Sequence, residues 1–336
     1  MTDPKEVLWR LVAGDSLSRE ETEELFGALM DGLVSEPIKA ALLVALRMKG
    51  EAVAEISGAA AAMRSRVIPI PHKAPTAVDT CGTGGDGRGT FNISTAAALV
   101  ASAAGVSVAK HGNRSVSSKS GSADVLAALG VKIEIDPATA GRALDEVGIT
   151  FLFAPLLHPA MREVMPVRRE LGMRTIFNVL GPLTNPAGAR RQVMGVYAKS
   201  LVEPIGQVLC DLGAEHALVV HGDGLDEITT TGTTTVSEVR GGEVRTYTLE
   251  PERFGIRRVA VEDLAGGQPD ENAVLMHRVF DGETGPLADV TALNAGAAIY
   301  VAGLASSLEE GCEAARAALA SGAAARKLEA LVGFLA

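Results

Sequence analysis

Asp79-Thr-Cys-Gly-Thr-Gly-Gly-Asp-Gly87 is the stretch on which the reading of this chain turns. It follows a short apolar run at 77–79. It is followed by Arg88-Gly-Thr-Phe-Asn92 and then by Asn92-Ile-Ser-Thr95, where an alanine-rich helix is expected to start. Gly82, Gly84 and Gly87 satisfy G-x-G-x-x-G, which by itself is a weak signal. A dinucleotide loop should enter its helix at once, and the next strand should end in an acidic residue for the ribose. Here residues 88–92 intervene and the next strand ends in Lys110, so a nicotinamide cofactor is disfavoured. No G-x-x-x-x-G-K-[ST] is present, which disfavours a P-loop ATPase. What survives is physical. Glycines let successive backbone N–H groups wrap phosphate oxygens, and a helix N-terminus placed behind them favours an anion.

Outward from this loop, short β-branched runs alternate with Ala/Leu-rich segments. Strands are expected at 77–79, 106–110, 131–135, 150–153, 193–197 and 217–221. Helices are expected at 95–104, 122–129, 137–147 and 201–212. Such alternation implies an α/β unit with a mostly parallel sheet flanked by helices. Residues 234–239 and 244–249, joined by Arg240-Gly-Gly-Glu243, read as a hairpin beside it, and the chain is helical again from about residue 288. Before residue 70 the pattern is helical throughout. Ser16 or Ser18 can cap a helix over 20–30 with Glu21 placed for a capping box, Pro37 suits the first turn of 38–48, and 51–65 keeps helical spacing. The prolines of 67–75 read as a linker. The expected organisation is therefore a small helical domain at 1–70, joined by part of 156–190, and a large α/β domain at 71–336.

The chain has 336 residues, 47% of them apolar, and a net charge of −10, so it can bury a sizeable core and has no global basic field for nucleic acid. Cys81, Cys210 and Cys312 are far apart and form no CxxC pair, which suggests neither a zinc site nor a disulfide framework. The N-terminus lacks the form of a signal peptide, and the apolar stretch 96–108 is too short to span a bilayer, so a cytoplasmic protein is expected.

Against this acidic background, Lys110-His-Gly-Asn-Arg-Ser-Val-Ser-Ser-Lys-Ser-Gly-Ser122 concentrates Lys110, His111, Arg114 and Lys119 among Ser115, Ser117, Ser118, Ser120 and Ser122. It follows a strand end, where open α/β sheets bind ligands, and it suits a polyphosphate: charge for affinity, hydroxyls and amides for geometry. A second strand, at 217–221, delivers Gly222-Asp-Gly-Leu-Asp-Glu227. Asp226 and Glu227 are adjacent. In an extended segment they would point to opposite sides and approach different ions, while Asp223 reads as a turn residue. Mg²⁺ commonly takes one or two carboxylates together with substrate phosphates.

These stretches, together with Arg174-Thr-Ile-Phe-Asn-Val-Leu-Gly-Pro-Leu-Thr-Asn-Pro186, resemble the anthranilate phosphoribosyltransferases of tryptophan biosynthesis, and the resemblance covers nearly the whole chain. It implies a homodimer with a helical and an α/β domain, and two substrates: anthranilate and phosphoribosyl pyrophosphate carried with Mg²⁺, two ions per monomer. It assigns to the sugar substrate Gly82, Gly85, Asp86, Thr90, Asn92, Ile93, Ser94, Thr95, Lys110, His111, Gly112, Asn113, Arg114, Ser115, Val116, Ser117, Ser118 and Ser122. To Mg²⁺ it assigns Ser94, Asp226 and Glu227. To anthranilate it assigns Gly82, Asn113 and Arg168, with His111, His158 and Arg174 as weaker candidates. No general base is assigned. A pyrimidine nucleoside phosphorylase is the nearest alternative, and it would lack the Asp226-Glu227 pair. A non-catalytic nucleic-acid-binding relative is the other, and it should show a basic face and eroded motifs.

Overall fold

The computed structural model describes residues 3–115 and 119–336. The chain opens with α1 (Pro4–Val12), α2 (Arg19–Met30), α3 (Glu36–Lys49) and α4 (Val53–Arg64). The cap of α2 is Ser18, not Ser16: its Oγ accepts from Glu21 N at 3.1 Å and Glu21 Oε2 accepts from Ser18 N at 2.9 Å, which closes the expected capping box. Glu55 is fully buried and saturated by Leu17 N, Ala52 N and Lys49 Nζ at 2.7–3.0 Å, so one carboxylate ties three segments of the bundle together.

The α/β domain follows as β1 (Val78–Asp79), α5 (Ile93–Ala103), β2 (Val108–Gly112), α6 (Ser122–Ala128), α7 (Pro137–Glu146) and β3 (Ile149–Phe153). Three short helices come next: α8 (Ala154–Leu157), α9 (Met165–Leu171) and α10 (Phe177–Leu180). The chain then returns as β4 (Arg191–Gly195), α11 (Val202–Asp211), β5 (His216–Gly222), β6 (Thr234–Arg240) and β7 (Glu243–Leu249). It closes with α12 (Pro269–Phe280), α13 (Pro286–Ala302), α14 (Leu308–Ala320) and α15 (Ala323–Leu335). Among the described residues the strands form one sheet in the order β3-β2-β1-β4-β5-β6-β7, parallel through β5 and antiparallel beyond it. The hairpin turn falls where expected, with Gly241 and Gly242 both at positive φ (61° and 84°).

Alternate residues of the strands enter two cores, as a sheet covered on both faces requires. Val193, Leu218, Val220 and Val236 pack with α5 and the C-terminal helices. Met194, Ala217, Val219 and Val239 pack with α11, residues 164–183 and the N-terminal bundle. From β1 the chain steps to β2 and β3 on one side and then to β4 on the other. The crevice between β1 and β4 is therefore the topological switch point, the place where such sheets bind ligands.

Two expectations need correction. Residues 131–135 form no strand: Val131 and Ile133 are buried in alternation with exposed neighbours, but the segment lies outside the sheet, so the period reports one buried side and no ladder. The C-terminal helices begin at Pro269, well before residue 288. Pro269, Asp270 and Glu271 form a favourable first turn, and Ala273, Met276 and Phe280 carry the buried spacing.

Candidate active site at the switch point

Thr80, Gly82, Ser94, Ala97, Val193, Gly195, Asp226, Glu227 and Asn294 line one small cavity at the C-terminal ends of β1, β4 and β5. Its walls are set by close backbone approach. A Cβ on Gly195 would lie 1.6 Å from Asp226 O, so only glycine lets the segment after β5 cross β4. A Cβ on Gly82 would lie 3.0 Å from Gly195 O, and Thr83 N donates to that oxygen at 2.8 Å, which pins the glycine loop across the switch point. At the loop's far side Arg174 donates to Gly85 O and stacks 4.2 Å over the Tyr197 ring.

Asp226 and Glu227 lie in a bend, not in an extended segment, so both carboxylates face the same cavity. They still diverge. Glu227 Oε1 accepts from Ser94 N at 3.2 Å, at the start of α5, while Asp226 lies against Asp86 of the glycine loop. Burial, aided by the neighbouring Asp86 carboxylate, pushes Asp226 up to about 7. Burial and the adjacent Asp226 likewise push Glu227 well above the usual carboxylate range. Asn294 holds this pair in place from α13: its side chain accepts from Ile228 N at 3.0 Å and donates to Ile228 O at 2.8 Å. Asp223, as expected, is a turn residue, at φ 50°.

The cation of this site is Lys110. Buried to 3% exposure, it donates to Thr80 O at 3.1 Å and reaches Thr80 Oγ1 and Ser94 Oγ at 3.3 and 3.4 Å. Asn92 caps α5 without a side-chain bond to the helix. Its amide is instead clamped by Ser120 on one side and Asn272 of α12 on the other, while the first-turn N–H groups are engaged: Ile93 N donates to Phe91 O at 2.7 Å, Ser94 N to Glu227 and Thr95 N to Asn92 O at 3.1 Å. Ile93 is buried in the core, and among the described residues Thr95 Oγ1 is buried without a partner. Thr90 sits farther out in an isolated bridge to Ala265.

The serine-rich loop after β2 is braced by Asp124, whose carboxylate accepts from Arg114 Nη1, Ser115 N and Gly121 N at 2.9–3.1 Å. Ser122 Oγ donates to Asn113 O at 3.3 Å, and a Cβ on Gly112 would lie 2.3 Å from that hydroxyl, so Gly112 is required by the loop's fold. Val116, Ser117 and Ser118 lie outside the described residues. His111 faces His158, Nε2 to Nε2 at 3.1 Å, and burial lowers both, to about 3 and about 4, so the pair is neutral near pH 7. Arg168 lies apart on α9, half-buried 5.4 Å over the Phe177 ring. Among the described residues no carboxylate pairs with it, and no hydrogen bond joins it to Gly82 or Asn113.

Sequence reasoning missed Gly195, Asn294, Asn272 and Asp124. Asn294 leaves a trace, as a lone amide inside an alanine-rich helix, and Asp124 leaves another, three residues after Gly121 at a helix start. Gly195 leaves none, because its requirement arises only when β4 meets the segment after β5.

The description "Glycosyl transferase family, helical bundle domain" matches residues 5–67, and "Glycosyl transferase family, a/b domain" matches residues 74–325. The chain is 50% identical over 330 residues to the anthranilate phosphoribosyltransferase of Clostridium kluyveri, covering 98% of each. It superposes on the crystal structure of the Thermus thermophilus enzyme of that name with a TM-score of 0.93 at 51% identity, covering 98% of both chains. On the Saccharomyces cerevisiae enzyme in complex with PRPP and Mg the TM-score is 0.89 at 29% identity, covering 99% of this chain and 97% of the other.

Proposed function

The chain belongs to the anthranilate phosphoribosyltransferases, and from that premise we propose how its residues divide the work. The reaction moves the 5-phosphoribosyl group of phosphoribosyl pyrophosphate onto the amine of anthranilate, giving N-(5-phosphoribosyl)anthranilate and pyrophosphate in tryptophan biosynthesis. Neither a nucleoside phosphorylase nor a nucleic-acid-binding relative finds support beside this similarity.

The observation that carries the site assignment is the convergence, at one switch point, of two crowded carboxylates, a buried lysine and a helix start whose Ser94 N donates to one of those carboxylates. The glycine loop at Gly82, Gly85 and Asp86, the start of α5 at Asn92–Thr95 and the loop from Lys110 to Ser122 hold the sugar substrate and its pyrophosphate. Asp226, Glu227 and Ser94 Oγ fit Mg²⁺: all are hard oxygen donors, and buried carboxylates that repel one another favour a divalent cation. Their divergence favours two ions per monomer. When bound, Mg²⁺ neutralises charge on the departing pyrophosphate.

Breaking the bond from ribose C1 to pyrophosphate leaves negative charge on the departing oxygen. Lys110 and Arg114 supply the positive charge that stabilises it. The anthranilate amine is neutral and can attack without prior deprotonation, so positioning and charge neutralisation do most of the catalysis and no general base is required. Arg168 is the partner for the anthranilate carboxylate: a half-buried guanidinium with no carboxylate of its own can take a bidentate anion. Asn113 and Gly82 complete that side, with the neutral His111–His158 pair lining it.

We take the division at 1–70 and 71–336, with part of 156–190 joined to the helical domain, because Val164–Leu183 side chains pack with the N-terminal helices. A homodimer is supported by Trp9, Val12, Leu33 and Met48, large apolar side chains left exposed on the helical domain, whereas Leu25, Leu29, Leu43 and Leu46 are core. A cytoplasmic location accords with the biosynthetic role, and no described helix is long and apolar enough to cross a membrane.

Loss of anthranilate fluorescence on mixing the protein with anthranilate, phosphoribosyl pyrophosphate and Mg²⁺ tests the reading. The signal should fall only when both the sugar and Mg²⁺ are present. A folded protein that leaves it unchanged, or a fall without the sugar, would overturn the assignment.

A further inference from the structure

Beneath the glycine loop lies a second group of potential ligands that the reaction does not use as a set. One carboxylate oxygen of Asp79, the Sγ of Cys81 and one ring nitrogen of His111 lie within 4.8 Å of one another. The sheet fixes this arrangement. Asp79 and Cys81 are two residues apart on the extended chain leaving β1, so their side chains share a side, and β2 beside it carries His111, whose N–H donates to Asp79 Oδ1 at 3.1 Å. Among the described residues Asp79 Oδ2 and His111 Nδ1 complete no hydrogen bond of good geometry, in residues that are 0% and 3% exposed, and the Asn185 side chain and Gly181 carbonyl nearby satisfy them only in part. Buried polar atoms satisfied only in part leave capacity for a ligand. Cys81 is partly exposed as a residue, while its thiol is turned inward.

We propose that Asp79, Cys81 and His111 form a second metal site, selective for a thiophilic divalent cation of the Zn²⁺ class and separate from the carboxylates that suit Mg²⁺. The donor set decides the selectivity: thiolate and imidazole suit Zn²⁺ and Co²⁺, while Mg²⁺ prefers oxygen and retains its waters. Tetrahedral bonds of about 2.0–2.3 Å require the donors to close in by roughly an ångström, within reach of side-chain rotation. On binding, the Cys81 thiol releases its proton to solvent, Asp79 coordinates as a carboxylate and His111 as the neutral imidazole. Burial already holds His111 neutral and pushes both the Asp79 carboxyl, to about 6, and the Cys81 thiol upward, a penalty that a divalent cation reverses. His158, 3.1 Å from the other His111 nitrogen, is the orienting partner that metal-bound imidazoles commonly have. Cys81 adjoins Gly82 and His111 adjoins Lys110, so an ion here locks two walls of the active site and inhibits turnover.

Co²⁺ added to the whole protein in saturating Mg²⁺ is the test, read by visible absorption. The site should take one equivalent with tetrahedral bands and a thiolate charge-transfer band, Zn²⁺ should displace it, and Cys81→Ser should weaken binding on the order of 100-fold while Cys210→Ser leaves it intact. His158→Ala should weaken it about 10-fold or more. Native mass spectrometry of the unmutated protein gives an answer independent of variant folding, because it should retain one Zn²⁺ that excess Mg²⁺ does not displace. Absent thiolate bands, bands that persist in Cys81→Ser, displacement by Mg²⁺, or no Zn²⁺ retained by the unmutated protein would each overturn the site. Inhibition by Zn²⁺ that Cys81→Ser relieves rests on the proposed phosphoribosyl transfer. The spectra do not, so failure of that activity leaves the metal site separately decided.

Discussion

Near the end of the sheet where β5 begins, the Glu238 carboxylate is surrounded by donors: His216 Nε2 at 3.0 Å, Tyr300 OH at 2.8 Å and Tyr247 OH at 2.9 Å. Burial pushes that carboxyl up, but these three hydrogen bonds outweigh it and hold it at about 2. Just past the end of the same strand, Asp226 and Glu227 have each other and Asp86 for company, and burial pushes them up unopposed by a cation other than Lys110. The sheet thus has a satisfied carboxylate on β6, beside the start of β5, and a frustrated pair past the end of β5. The first stabilises the fold. The second is held in readiness for positive charge arriving with a ligand, which is the usual signature of a functional site.

The largest expected effect comes from removing the frustrated pair. Asp226→Asn with Glu227→Gln should lower kcat/KM on the order of 1,000-fold or more in the anthranilate fluorescence assay. The same variant, free of Mg²⁺, should melt above the parent at pH 8. Retained activity, or a fall in melting temperature, would break the contrast. Next, Arg168→Ala should raise KM for anthranilate on the order of 100-fold and leave that for phosphoribosyl pyrophosphate nearly unchanged. Equal losses for both substrates would remove Arg168 from its assigned place. Glu238→Gln should then cost about 1–3 kcal/mol of stability in urea unfolding, with kcat unaltered. Lost turnover at unchanged stability would mean that the satisfied end is functional after all.

The smallest effect is the pH dependence of stability without Mg²⁺, and the two ends should act with opposite signs. The unfolded chain ionises Asp226 near 3.8 and the folded chain near 7, so between those values the folded state binds more protons. This contribution is present below 3.8 and is lost as pH rises to about 7. Glu238 does the reverse: its contribution is present above 4.5 and is lost as pH falls towards 2. Melting curves of the parent and Asp226→Asn between pH 4 and 8 should diverge as pH rises. Parallel curves would say that Asp226 is already comfortable.

Much of this was legible in the sequence because local rules and motif spacing coincide. Ser18 and Glu21, Gly241 and Gly242, and the loop from Asp79 to Gly87 each place a turn or cap by local chemistry, and the structure follows them. The extended segment at 131–135 misled because alternation reports burial and not pairing. What stayed hidden is long-range. Gly195 matters because Asp226 crosses it, Asn294 because it reaches Ile228 from α13, and Asn272 because it meets Asn92 across 180 residues. Each of these depends on which surfaces meet, and no local pattern encodes that.

Calorimetric titration of Mg²⁺–phosphoribosyl pyrophosphate into the protein at pH 6.5, repeated in buffers of different ionisation enthalpy, tests most directly whether the carboxylates past β5 hold protons until the ligand arrives. Net proton release should accompany binding to the parent and vanish for Asp226→Asn/Glu227→Gln. Binding to the parent with no proton release would contradict the account, because the pair would then be ionised before the metal came.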